Sequence, residues 1–292
     1  MRVLLSYMNK NDDCYFYKGK PFSGVGFEID NDKNVTAYEM EQGKIIKPYQ
    51  SAYKINGQEF NQVDITAGIT DYRETASFEN RSYSGIGFEF KDDFCVAEIL
   101  VINSIIWWQS QWDSKGILRR FDVPSPFFAE FYNWFPNGKI ESIGIRWDRT
   151  GGFKYNGSIR FQEDEVIVDF TAESDFLKFF NEVHIMARFF PYVESKDLCK
   201  ARWSEKVRLL GDDINDDFIN MMIESGSWDH VTELTLANTN IENPVFNKLK
   251  NIRELCLDGG NKQIHEAIAQ QLKQERPDIS IYIDRFRYDT SR

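Results

Sequence analysis

Histidine is scarce in this 292-residue chain: His184, His230 and His265 fall in three different segments, none with a second ligand three or four residues away. A zinc site therefore has no support in the sequence. Cysteine is sparse as well. Cys14, Cys95, Cys199 and Cys256 lie far apart with no C-x-x-C pair, so reduced, mostly buried thiols in a cytoplasmic protein are expected. No apolar run can span a bilayer, because the longest, "VAEILVINSIIWW", is broken by Glu98 and Asn103. The opening "MRVLLSYMNKNDD" has no small-residue cleavage site, so no signal peptide is expected. Runs of Lys and Arg are missing too: 35 basic residues stand against 46 acidic ones, for a net charge of −11. Affinity for nucleic acid comes from neutralising phosphates, so direct nucleic-acid binding is not expected. A basic protein partner suits such a chain better.

Aromatic residues are abundant, with 24 Phe, 13 Tyr and 7 Trp, which favours strands and broad contact surfaces. The stretch "PFSGVGFEID" at 21–30 returns 61 residues later as "SYSGIGFEFK". Ser23, Gly24, Gly26, Phe27 and Glu28 meet Ser84, Gly85, Gly87, Phe88 and Glu89. Each copy gives only G-x-G and leads into a Phe-rich strand, whereas a phosphate cradle needs a helix start behind it. The glycines are read as points where strands bend or cross closely. Up to about residue 172 the pattern is strand, turn, strand. Turns are expected at 31–34, at Asp92-Asp93 and at Pro136-Asn137-Gly138, with two more Gly-centred turns within "DSKGILRRF" and "TGGFKYNGSIRFQEDEVIVDF".

"YKGKPFSGVGFEID…EQGK", "SYSGIGFEFK" and "FYNWFPNGKIESIGIRW" resemble the MORN-like repeats of bacterial toxin–antitoxin and immunity proteins. That resemblance implies hairpin modules that offer a surface and carry no reaction.

From 173 the apolar period becomes helical. Phe176, Phe180, Val183, Ala187 and Phe190 form one stripe ended by Pro191. Further helices are expected over "SKDLCKARWSEKVRLL" and "INDDFINMMIESG". Beyond 229, "VTELTLANTNI" and "IRELCLDGG" stand 21 residues apart and resemble the L-x-x-L-x-L core of leucine-rich repeats. With "KQIHEAIAQQLKQE" and "ISIYID" they imply a small parallel sheet with crossover helices. The expected fold is α+β: an antiparallel β domain with MORN-like hairpins (1–172), a helical connector (173–228) and a leucine-rich-repeat-like α/β unit (229–292).

Acidic pairs are plentiful: Asp12-Asp13, Asp92-Asp93, Glu163-Asp164-Glu165, Asp212-Asp213 and Asp216-Asp217. Most sit at predicted turns, where solvated carboxylates are the default. Asp213, Asn215, Asp217 and Glu224 match positions 1, 3, 5 and 12 of a calcium loop. Phe218 occupies the position that must be glycine, and the stretch reads as an acidic helix N-terminus instead. "SIIWWQSQWD" carries Trp107, Trp108, Trp112 and Asp113. Adjacent tryptophans in a strand point to opposite faces, and exposed tryptophans beside acids are typical of interface hot spots. These four residues, with Asp92, Asp93, Glu163, Asp164 and Glu165, are the expected partner-binding set. No catalytic, metal or cofactor site is expected. The leading expectation is a non-catalytic immunity protein or antitoxin that binds a cognate toxin directly, a basic one if that toxin is a nuclease. A general scaffold or peptide-binding adaptor and a carboxylate-dependent hydrolase are the alternatives.

Overall fold

The computed structural model describes residues 1–51, 60–66, 69–70, 77–78, 81–124, 128–149, 152–174, 176–177 and 198–288. Two compact units divide at Gly138/Lys139. Eighteen strands, numbered β1–β18 in chain order, make the main pairings, which are both parallel and antiparallel. Two α-helices have both ends among the described residues: α1 (Asp216–Glu224) and α2 (Lys262–Glu275).

In the first unit the duplicated phrase is one quarter of a duplicated four-strand module. The first copy holds β1 (Arg2–Leu4), β2 (Gly24–Ile29), β3 (Val35–Glu41) and β4 (Lys44–Pro48). The second holds β5 (Gln62–Asp64), β6 (Gly85–Lys91), β7 (Phe94–Ile102) and β8 (Ile105–Trp112). In each copy the short first strand runs parallel to the second, Val3 beside Gly26 and Val63 beside Gly87. The second, third and fourth strands then form antiparallel hairpins. Each short strand also reaches the other copy: β1 meets β7 at Val3–Phe94, and β5 meets the start of β3 at Asn34–Val63. The pairings β1–β2–β3–β5–β6–β7–β1 thus close into a ring with an internal pseudo-twofold.

The repeated letters have repeated jobs. Ser23 Oγ accepts from Gln42 N–H at 2.9 Å, and Ser84 Oγ accepts from Asn103 N–H at 2.7 Å. A Cβ on Gly24 would lie 2.2 Å from the Met1 carbonyl oxygen, and one on Gly85 would lie 2.6 Å from that of Asn61. On Gly26 it would strike Leu5 at 2.6 Å, and on Gly87 it would strike Ile65 at 2.7 Å. Glycine is needed because another chain segment crosses at that point in both copies. Phe27 and Phe88 are fully buried and meet edge-to-face at 5.3 Å inside the ring. Burying each such ring is worth about 1.5–3 kcal/mol relative to exposure. Beyond the module, β9 (Leu118–Pro124) and β10 (Phe128–Trp134) extend the sheet antiparallel from β8.

The second unit begins with antiparallel β11 (Ile140–Arg149), β12 (Gly152–Phe161) and β13 (Ile167–Glu173). Pairing then turns parallel through β14 (Trp203–Leu210), β15 (Glu233–Ala237), β16 (Glu254–Asp258) and β17 (Ser280–Ile283). A two-residue β18 (Phe286–Arg287) closes the run antiparallel. Leu234, Leu255 and Ile281 stand in register, as do Leu236, Leu257 and Ile283. The residue after each parallel strand (Ser174, Gly211, Asn238, Gly259 and Asp284) has positive φ. The five strands therefore share one left-handed exit turn. Phe170, Trp203, Phe218 and Trp228 form the aromatic centre of this unit, with Phe170 stacked on Phe218 at 5.7 Å.

Three expectations change. The fold is mainly mixed β-sheet and not α+β. The expected connector at 173–228 is not helical throughout: "WSEKVRLL" is strand β14, held between β13 and β15 with Trp203, Val207 and Leu209 buried. Its apolar residues fit a helical stripe almost as well, and parallel pairing on both sides decides for the strand. The first unit is no simple meander, because β1–β2 and β5–β6 are parallel. The Phe176–Phe190 stripe lies almost wholly outside the described residues. The helix expected over "INDDFINMMIESG" is present as α1.

Candidate functional site

The alternation expected of the tryptophan pair is observed on β8, where Trp107 is 49% exposed and Trp108 is 4% exposed. A β-bulge sharpens the contrast. Leu100 faces Trp108 and Val101 faces Ile106, so Trp107 is the extra residue with no cross-strand partner. Such an insertion kinks a strand and re-aims a side chain. The first copy carries the same bulge: Glu39 faces Lys47 and Met40 faces Ile45, leaving Ile46 as the extra residue, 57% exposed. Ile46 and Trp107 are 61 positions apart and therefore equivalent in the duplicated module. Ile45 beside one and Ile105 beside the other are also exposed. Each copy thus holds a large apolar side chain outward at the same irregularity of its fourth strand.

The other expected binding residues are scattered and engaged. Arg2 Cζ sits over the Trp112 ring, 3.9 Å from its centroid. Asp113 Oδ1 accepts from Lys115 N–H and Ile117 N–H, closing the β8–β9 turn. Asp92 has positive φ in the β6–β7 turn, and Asp93 accepts a short hydrogen bond from the Tyr17 hydroxyl. Glu163, Asp164 and Glu165 form the exposed β12–β13 turn of the second unit. There Asp164 is 3.8 Å from Arg202 and Glu165 is 3.5 Å from Lys139. The structure brings Trp107, Trp108 and Trp112 onto one strand and leaves the two acidic turns in different units.

Two of the four calcium-like letters, Asn215 and Asp213, accept from backbone N–H groups, and a third, Glu224, lies 3.4 Å from Lys248. Asn215 caps α1 through Phe218 N–H, Asp216 accepts from Glu242 N–H and Asn243 N–H, and Asp213 accepts from Leu177 N–H. Among the described residues no group of three His, Cys, Asp or Glu side chains is placed to hold a metal ion.

Buried carboxylates are where acid–base chemistry would be sought. Glu98 is 1% exposed and binds Arg2 at 2.8 Å and the Tyr49 hydroxyl at 3.0 Å. Phe27, Tyr49 and Trp112 enclose that guanidinium. Burial pushes the Tyr49 hydroxyl up to about 12 and the adjacent Cys95 thiol up to about 12. Neither is poised as a nucleophile near neutral pH. The module's second copy has Gln62 and its first copy has Ala37 where this pair has Arg2 and Glu98, so the ion pair interrupts the pseudo-symmetry. Asp122 accepts from Gln109 at 2.5 Å and Arg120 at 2.6 Å. Glu130 is in register with Val123, and Asp122 with Phe131, so these two carboxylates point to opposite faces. No facing pair of the glycosidase type occurs among these buried acids.

A second polar locus lies at the exits of the parallel strands. Thr239 Oγ1, Asp258 Oδ1 and His265 Nδ1 are buried without a hydrogen-bond partner among the described residues. Burial lowers the His265 pKa below the ordinary imidazole value, against the pull of Asp284 and Asp258.

Sequence reasoning missed Ile46. The signal was available, since extending the ungapped repeat past its glycines sets "QGKIIK" on "NSIIWW".

No family model matches the sequence, and no curated protein matches it. Among solved structures, one similar chain belongs to a GtfA/B complex bound to UDP and GlcNAc, at 10% identity and a TM-score of 0.20, covering 74% of this chain and 60% of that one. Another belongs to the Glycosylation Associate Protein (Gap123) complex of Streptococcus agalactiae, at 14% identity and 0.18, covering 74% and 43%. A third is from accessory secretory protein 1, 2 and 3 of Streptococcus pneumoniae, at 8% identity and 0.20, covering 80% and 43%. The chain spans between 43% and 60% of the length of these neighbours. Likeness this slight carries no conclusion about fold or function.

Proposed function

We propose that the chain is a non-catalytic protein-binding protein, most concretely an immunity protein or antitoxin that neutralises a cognate toxin by direct contact. One observation carries this reading: the duplicated module turns a large apolar side chain outward at the same bulge twice, Ile46 and Trp107. Solvent exposure of such residues opposes solubility, and recurrence at equivalent positions points to a use for them. The MORN-like hairpin resemblance agrees with a surface-presenting role. The buried carboxylates support it as well, since Glu98 and Asp122 are neutralised by arginine and serve packing.

The test is a pulldown with the product of the adjacent gene, combined with co-expression of that product and a growth readout. A stable complex and restored growth support the reading. Absence of both a complex and protection overturns it, and a complex without protection favours the adaptor alternative.

A further inference from the structure

The crossovers of the parallel sheet differ in length, and the difference leaves a cleft. Between β15 and β16 the chain makes only a three-residue 3-10 turn (Phe246–Lys248), whereas between β16 and β17 it makes the fourteen-residue α2. The short crossover covers part of the helix beside it, and a cleft of about 150 Å³ remains between them. A drug-sized pocket starts at about 300 Å³, so this one admits a single long side chain. Its loop wall is tied to α1: Asp216 accepts from Glu242 N–H and Asn243 N–H, and Asn220 accepts from Val245 N–H at 3.0 Å. A cleft fixed in advance costs little to order on binding.

Phe246, Ile268 and Leu272, all buried, make its apolar floor. Its rim is rich in acceptors. Glu275 Oε2 accepts from Asn247 Nδ2 at 2.6 Å, and Glu275 Oε1 accepts from Gln271 Nε2 at 3.5 Å. An amide that turns its nitrogen to a carboxylate turns its carbonyl oxygen away. Asn247 Oδ1 and Gln271 Oε1 meet no donor among the described residues, and Glu275 has no cationic partner among them. The neighbouring cations are engaged elsewhere. Lys248 lies 3.4 Å from Glu224, Arg276 lies 2.9 Å from Asp278, and Lys273 donates to the Pro277 carbonyl at 3.2 Å. Glu275 also ends α2, where the helix dipole disfavours a carboxylate, so the helix supplies no reason for the acid.

We infer that this cleft takes the side chain of a lysine from the partner protein, its methylenes against Phe246, Ile268 and Leu272 and its ammonium at Asn247, Gln271 and Glu275. An ammonium brings three donors and no acceptor, which matches such a rim. An anionic side chain would meet only acceptors there. The inference rests on the protein-binding reading and deepens it, and it agrees in sign with the net charge of −11.

The probe is N-acetyl-lysine methylamide, beside its norleucine analogue, which keeps the aliphatic chain and lacks the ammonium. Binding to the full chain is followed through the methyl resonances of Ile268 and Leu272 at low and at physiological salt. The lysine probe should shift both saturably and bind about tenfold tighter than norleucine, the effect of a charge-assisted hydrogen bond. The difference should shrink as salt rises. Glu275→Gln, a change at an exposed residue, should abolish the preference with the unfolding midpoint unchanged. Equal or tighter norleucine binding, shifts confined to residues away from the cleft, no saturable shift at either salt, or an undiminished preference in Glu275→Gln would each overturn the inference. The product of the adjacent gene separates this inference from the reading beneath it. A complex that Glu275→Gln weakens supports both. A complex that Glu275→Gln leaves untouched keeps the protein-binding reading and removes the lysine cleft, and absence of any complex removes the reading itself.

Discussion

Replacing Glu98 by alanine removes the carboxylate from a buried ion pair of the first unit. Arg2 keeps 7% of its side chain exposed, and Glu98 keeps 1%. After the change the guanidinium stays among Phe27, Tyr49 and Trp112 with no anion, and the Tyr49 hydroxyl loses an acceptor at 3.0 Å. Breaking a buried pair from one side costs about 3–5 kcal/mol, because the surviving charge is left desolvated. The aromatic faces return a fraction of that, since a desolvated cation–π contact is worth about 2 kcal/mol. A net loss of about 3 kcal/mol is therefore expected for Glu98→Ala. The double change Arg2→Met/Glu98→Leu should recover most of it, because an apolar pair of similar volume replaces two desolvated charges. Urea unfolding followed by tryptophan emission reads both. A loss below about 1 kcal/mol for the single change, or a double variant worse than the single, would refute the reasoning.

Gly24→Ala and Gly85→Ala should each cost about 1–3 kcal/mol through overpacking, since both would press a methyl against a backbone carbonyl; unchanged urea midpoints would remove the crossing-strand explanation. Trp108→Ala should cost about 3–5 kcal/mol as a buried aromatic truncation, while Trp107→Ala should stay within about 0.5 kcal/mol as a surface change. The same denaturation series separates the two, and equal losses would contradict the bulge assignment. His265 is held neutral by burial, so its folded pKa lies below the unfolded value. Below the ordinary imidazole value, near 6.5, the unfolded chain takes up a proton that the folded chain refuses. Stability should therefore fall as pH drops from about 6.5 through that lowered folded value. Replacing His265 by asparagine should flatten this slope between pH 5 and 7.5, and an unchanged slope would show that other groups set it.

Local pairing rules carried much of the first unit from the letters alone. The hairpin turns at 31–34 and Asp92-Asp93 are present, and the repeated glycines mark close crossings in both copies. The strands paired with those glycines could not be read. Arg2–Leu4 and Gln62–Asp64 are three residues each, too short for a period to show. Their parallel pairing is a long-range event that no local pattern announces. "WSEKVRLL" failed for a related reason: three apolar residues suit either period, and the flanking strands choose. Of the proposed interaction surface, Trp107 was legible from the period-two rule. Ile46 was legible only through its equivalence to Trp107, because an isoleucine in a strand is ordinarily core. The acidic turn residues looked like a binding set because their partners, Tyr17, Lys139 and Arg202, are distant in sequence.

The central claim is that the duplicated module exists to display its two bulge residues to a partner. Growth protection by the Ile46→Asp/Trp107→Ala variant, co-expressed with the product of the adjacent gene, tests this most directly. The variant should unfold at the parent's urea midpoint and yet lose protection. Full protection by the folded double variant, or a loss produced instead by neutralising Asp92, Asp93 and Glu163–Glu165, would contradict the account.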